Sequence, residues 1–188
     1  MISYRVVRAA ETDRGPIHRV EDLQGRLLSL EELDLLSRIP HRSGAGRHID
    51  FILTDESQPR HGKPFLRPQC LRFKYKPHMT FLGTGLPIGY VENILVCPPG
   101  SVPGTEGRIA LATATLSETA LAALAWDAVH AGILTGVCLH GNGHPDATGE
   151  FNTYEGRFVT LGSLDGSCIR NARVLRVREE VQDSGYRR

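Results

Sequence analysis

No stretch of the sequence approaches the roughly 18 consecutive apolar residues that a membrane-spanning helix needs, so neither a helical membrane protein nor a membrane partner is expected. An excess of one charge sign is also missing. Lys and Arg number 22 against 21 Asp and Glu, leaving a formal net charge of +1. A balance so close to zero argues against direct binding of nucleic acid through the whole-protein field. The cysteines, Cys70, Cys97, Cys138 and Cys168, form no C-x-x-C pair, which argues against a zinc site or a small-domain disulfide framework. Four reduced thiols are the expectation. The opening Met1-Ile2-Ser3-Tyr4-Arg5 lacks the apolar run of a signal peptide, so the chain is expected to be made and kept in the cytoplasm, or in something assembled there. There is no internal repeat and no low-complexity tract.

What the sequence does contain is an ordinary apolar fraction, 40% of 188 residues, enough to bury a core without staples. Tyr4 to Ala10 suits a short strand. Ser29-Leu30-Glu31-Glu32 is a capping box, which predicts a helix over Leu30 to Ser37 that Ile39-Pro40 stops. Ser43 to Gly46 suits a linker. Strands are predicted over His48 to Thr54, Tyr90 to Cys97, Arg108 to Thr115, Ile133 to Leu139, Arg157 to Leu164 and Ala172 to Val177. Thr115-Leu116-Ser117-Glu118 has the form of a second capping box and predicts a helix from Leu116 to Ala131. Gly132 suits its stop. Many short strands with one or two helices give an α+β fold class, as a β-barrel with packed helices.

Few motifs carry chemistry by themselves. His140, His144 and Asp146 surround a Gly-Asn-Gly turn, but they sit on a predicted loop rather than one helix face, and a polar surface loop explains them without a metal. His130 ends a predicted helix, where an imidazole suits the dipole. Gly83-Thr84-Gly85-Leu86-Pro87-Ile88-Gly89 is glycine-rich, yet the segment after it is β-rich, whereas a phosphate cradle needs a helix N-terminus. No cofactor is expected. Cys138 and His140 are two apart on a predicted strand and share a face, so a thiol and its base are conceivable there. A small buried hydrophobe is the plainer account of Cys138.

The order of four stretches resembles the prohead (capsid maturation) proteases of tailed phages, in the HK97-like group. The first is Phe51-Ile52-Leu53-Thr54-Asp55-Glu56-Ser57 to Gly62. The second runs from Lys76-Pro77 through Leu86-Pro87-Ile88-Gly89-Tyr90-Val91-Glu92-Asn93. The third is Ala131-Gly132-Ile133-Leu134-Thr135-Gly136-Val137-Cys138. The fourth is Thr160-Leu161-Gly162-Ser163-Leu164-Asp165 through Asn171-Ala172-Arg173-Val174.

The resemblance implies the prohead protease/herpesvirus assemblin fold over residues 48–188, with 1–47 as an N-terminal extension bearing a short helix and serving capsid or self contact. It implies a serine protease using a histidine, a serine and an acidic residue. In this sequence the matching positions hold Gly83, Cys138 and Thr160. Glycine cannot accept a proton, and threonine cannot hold an imidazolium by charge. A thiol still needs a base or a lowered pKa. The implied protein is therefore a non-catalytic, capsid-associated structural protein, a cement, decoration or minor capsid component. Its implied partners are the major capsid protein lattice and other copies of itself, and its implied location is the virion capsid, assembled in the bacterial cytoplasm. The alternative is an active capsid maturation protease in which Cys138 is the nucleophile and His140 or His78 supplies the missing imidazole.

Overall fold

A computed structural model describes residues 4–12, 15–42, 45–56, 66–148, 150–162 and 171–181. Strands β1 (Tyr4–Thr12) and β2 (Gly15–Asp22) form an antiparallel hairpin. Gly15 takes a φ of 108°, open to glycine at little cost, and the Thr12 hydroxyl donates to its carbonyl at 2.7 Å. Val6 stands opposite Val20, and both are buried. Helix α1 (Leu30–Arg38) starts where its capping box predicts. The Ser29 hydroxyl accepts from the Glu32 amide at 3.3 Å, and the Glu32 carboxylate accepts from the Ser29 amide at 2.7 Å. Two orphan donors are thereby satisfied reciprocally. Arg26 braces this start from outside by bridging Asp22 and Glu32.

Helix α2 (Ala120–His130) is buried from Ala120 to Trp126 and again at Ala128 and Val129. Its alanines allow close approach on every side, as a core helix requires. The end of α1 is tied to the start of α2 through backbone: the Ala120 amide donates to the Ile39 carbonyl and the His41 amide to Glu118, each at 2.9 Å. Past His130 the chain turns at Gly132, with a φ of 69°, and the amides of Ile133 and Leu134 return to the Ala128 carbonyl.

The remaining strands are β3 (Ala45–Asp55), β4 (Leu71–Arg72), β5 (His78–Phe81), β6 (Pro87–Cys97), β7 (Ile109–Leu116), β8 (Gly136–Pro145), β9 (Phe151–Gly162) and β10 (Val174–Val181). They form one mixed sheet of eight strands. Its order runs β10-β3-β7-β6-β5-β9, with β8 antiparallel to β9. Both β4 and β5 lie parallel to β9, one after the other, at Tyr154–Glu155 and at Phe158–Leu161. One face carries Ile49, Phe51, Leu53, Met79, Phe81, Ile88, Ala112, Ala114, Val137, Leu139, Val159 and Leu161, which join α2 in a single apolar core. Val6, Val20, Leu33 and Leu36 belong to that same core, so the hairpin and α1 are packed into the body formed by the sheet.

Several expectations need correction. Among the described residues no closed barrel is formed: the two ends of the sheet meet at the bridge between Gly136 and Arg173, supported by Val137 N–H to Ala172 O at 3.1 Å and Val174 N–H to Thr135 O at 2.8 Å. Residues 115–118 are not a capping box. Strand β7 continues through Leu116, and Thr119 caps α2 by accepting from the Ala122 amide. The expected polar loop at His140 to His144 is strand. Its glycines serve close approach, because a Cβ on Gly141 would stand 2.1 Å from the Glu155 carbonyl oxygen. Strands β2, β4 and β5 were not anticipated. Of the expected linker, Ser43 and Gly44 lie outside the described residues, while Ala45 and Gly46 open β3.

Candidate functional site

The outer face of the sheet carries the residues of interest in rows that cross the strands. Cys138 on β8 stands opposite Thr160 on β9, and Thr160 stands opposite Thr80 on β5. The next row, two residues along each strand, holds His140, Phe158 and His78, and Tyr90 on β6 extends it. Period-two alternation keeps both rows on one face while Val137, Leu139 and Val159 point into the core. Positions far apart in sequence, Cys138 and Thr160, are thus direct neighbours. Gly83 sits in the turn between β5 and β6 with a φ of 72°, and a Cβ there would meet nothing within 4 Å.

The chemistry of the first row is that of groups already engaged. Thr160 and Thr80 share a hydroxyl–hydroxyl hydrogen bond of 3.0 Å, and Thr80 also donates to the Val159 carbonyl. Both are buried. Cys138 is disulfide-bonded, so its sulfur is not a free nucleophile in this state. That corrects the expectation of reduced thiols, which hold at Cys70 and Cys97, because sequence spacing does not reveal which sulfurs a fold brings together. Cys168 lies outside the described residues. In the second row the His140 ring stacks on Phe158 at 4.5 Å with planes 9° apart, and His78 packs on Tyr90 at 4.8 Å. A cavity of about 330 Å³ opens beside them, lined by His78, Thr80, Gly85, Pro87, Arg157 and Phe158.

Further along the same face lies a polar group that sequence patterns did not single out. The Thr115 hydroxyl and His48 Nδ1 are 3.0 Å apart, and His48 Nε2 is 3.7 Å from Glu180. Hydrogen bonds from Lys76, then Thr115, hold the Glu92 carboxyl below its usual range. Asp50 sits among Arg178, Thr113 and Arg176. Burial pushes its carboxyl upward, but the hydrogen bonds from these three outweigh burial and hold it down at about 2. The only sequence signal for this network is the alternation of polar and apolar residues along β3 and β7.

Asp146 holds its own turn. It accepts from the Thr148 hydroxyl at 2.6 Å and from the amides of Thr148 and Glu150, which lowers its pKa. Among the described residues no group of three His, Cys, Asp or Glu gathers as a metal site, and no helix is long and apolar enough to cross a membrane. His130 packs against the Trp126 ring at the end of α2. No family model, no curated protein and no solved structure matches this chain.

Proposed function

We infer that the chain is a non-catalytic capsid-associated protein, a cement, decoration or minor capsid component built on a degenerate prohead-protease-type fold. The supporting observation is the state of the first row. Cys138 and Thr160 lie side by side, where a nucleophile and an orienting acid would belong in an active relative, but the sulfur is covalently engaged and the hydroxyl is tied to Thr80. Hydrolysis by a nucleophile–base–acid triad needs a free nucleophile with a base in reach and a charge that orients the base. Fold alone would not assign the role, so the reading rests on this site together with the ordered sequence resemblance.

The partners in this reading are the major capsid protein lattice and further copies of the chain. The first 47 residues offer the contact surface through exposed Leu23, Leu27, Leu30 and Leu35. Deleting the region would remove core residues Val6, Val20, Leu33 and Leu36, so point changes at Leu23 and Leu35 are the cleaner probe of particle binding.

The test is mass spectrometry of purified, DNA-filled particles. Intact chain in fixed ratio to the major capsid protein is expected. Absence, or fragments alone, would overturn the structural role and favour a maturation protease that acts and leaves. In that event Cys138→Ala separates the remaining cases: abolished capsid-protein cleavage would establish Cys138 as the nucleophile, and a normal cleavage pattern would remove it.

A further inference from the structure

The segment joining β4 to β5 has an unusual geometry. Arg72 pairs with Glu155 and His78 pairs with Phe158, on the same edge of β9. The chain takes twice as many residue steps between Arg72 and His78 as β9 takes between Glu155 and Phe158, so 73–77 must arch away from the sheet. Phe73 anchors the arch. Its ring lies against Gly156, where an added Cβ would stand 2.1 Å from it. Lys74, Tyr75 and Lys76 are left exposed, and Tyr75 is 75% exposed.

From Leu66 to His78 the sequence holds Arg67, Arg72, Lys74 and Lys76 and no Asp or Glu. Aromatic rings alternate with these cations: Phe73, Tyr75 and, across the ladder from His78, Tyr90. Arg157 adds an exposed guanidinium at the mouth of the 330 Å³ cavity, where the Asn142 amide oxygen, turned toward it, accepts at 2.6 Å. Carboxylates from other strands answer part of this charge. Glu92 binds Lys76, Glu150 binds Arg67, and Glu155 stands opposite Arg72. Lys74 lies over the Tyr75 ring instead, 5.4 Å from its centre.

The geometry points to this arch and the adjoining cavity as a binding surface for single-stranded nucleic acid. Cations spaced along an exposed segment follow a phosphate backbone, and open aromatic faces between them receive unstacked bases. Tyr75 is the stacking platform, because the Tyr90 ring is already covered by His78 and by the Lys76 ammonium, 5.6 Å from its centre. The cavity beside Phe158 and His78 takes a base edge-on, with Arg157 and Lys74 on the flanking phosphates. A duplex, whose bases are already stacked, would use only the charges. The near-neutral total charge averages over this strip and hides it. The inference stands independently of the capsid reading.

The experiment is fluorescence anisotropy of a labelled oligothymidylate of roughly 12 nucleotides, titrated with the full chain. Saturable binding is expected, weakening with salt at about 0.7 log units per log unit for each phosphate contacted. Tyr75→Ala should weaken it by about tenfold, and Lys74→Glu by a similar factor. Both positions are exposed, and unchanged circular dichroism of the variants shows that the fold survives. No binding by the wild-type chain would overturn the proposal. So would affinity for poly-glutamate or for duplex equal to that for the single strand with no effect of Tyr75→Ala, since the surface would then read charge alone.

Discussion

Asp50→Asn should destabilise the protein near neutral pH and cost little in acid. In the folded chain the carboxylate is held at about 2 against an ordinary 3.8. Linkage converts that drop into roughly 2.4 kcal/mol. The Asp50 side chain is only 13% exposed, but that of Arg176 is 69% exposed, so screening by water and salt reduces the contribution to about 1–1.5 kcal/mol. Because the folded-state value lies below the ordinary one, the contribution is complete above 3.8 and fades as pH falls toward about 2. Asparagine keeps the shape and a hydrogen bond to Thr113 but loses the charge that Arg176 and Arg178 face. Urea unfolding of both proteins, from neutral pH down to about 3, measures the gap directly. The gap should be constant above the ordinary carboxylate range and narrow below it. A gap that stays constant into acid, or widens there, would refute the assignment of an ionised, arginine-held Asp50.

Two stability changes follow from other sites. Ser29→Ala removes one half of the capping box and should cost about 1 kcal/mol, read as a lower thermal midpoint by circular dichroism; no shift would mean that the Arg26 bridge alone holds the start of α1. Gly89→Ala places a Cβ 2.2 Å from the Thr115 carbonyl oxygen and 2.9 Å from the Leu116 Cα. Backbone in a ladder cannot yield as a flexible side chain can, so a loss of about 3 kcal/mol or more is expected in urea unfolding, and a near-neutral effect would show that β6 and β7 can part without penalty.

What could be read in advance was what is settled locally. The capping box at Ser29 and Glu32 involves residues three apart, and no distant partner competes for them. The alternation that puts Cys138 and His140 on one face likewise depends only on the strand period. Thr115 to Glu118 misled because a hydroxyl and a glutamate at the same spacing are shared by strand β7 and the loop before Thr119, and pairing with β3 and β6 overrode the local signal. Gly141 and Gly143 suggested a turn. Their purpose, to let Glu155, Phe151 and Tyr154 approach, exists only once β9 is in place. β4 is two residues long and owes its strand character to parallel pairing with a segment some eighty residues away, and β5, four residues long, is completed by that same segment on the edge that β6 leaves open. The pairing of Cys138 with Thr160 needs the register of β8 against β9, which no local pattern states; the Asp50 network showed only as alternation along β3 and β7, and the disulfide at Cys138 had no sequence signal.

Strand β9 has a consequence for the order in which the chain can acquire structure. It is the common partner of β4, β5 and β8, and it follows all three in the chain. A nascent chain paused before Phe151 has the β3-β7-β6 ladder and a β5 joined on one side only. It has no ladder at all for β4, and β8 is present without its partner. Loop closure over such separations is slow, and unpaired strands are open to association while they wait. Synthesis of Phe151 to Gly162 is therefore the step that commits the outer face, with its cysteine, threonines and histidines, to exist; until then those residues are simply stretches of polar chain with no site between them.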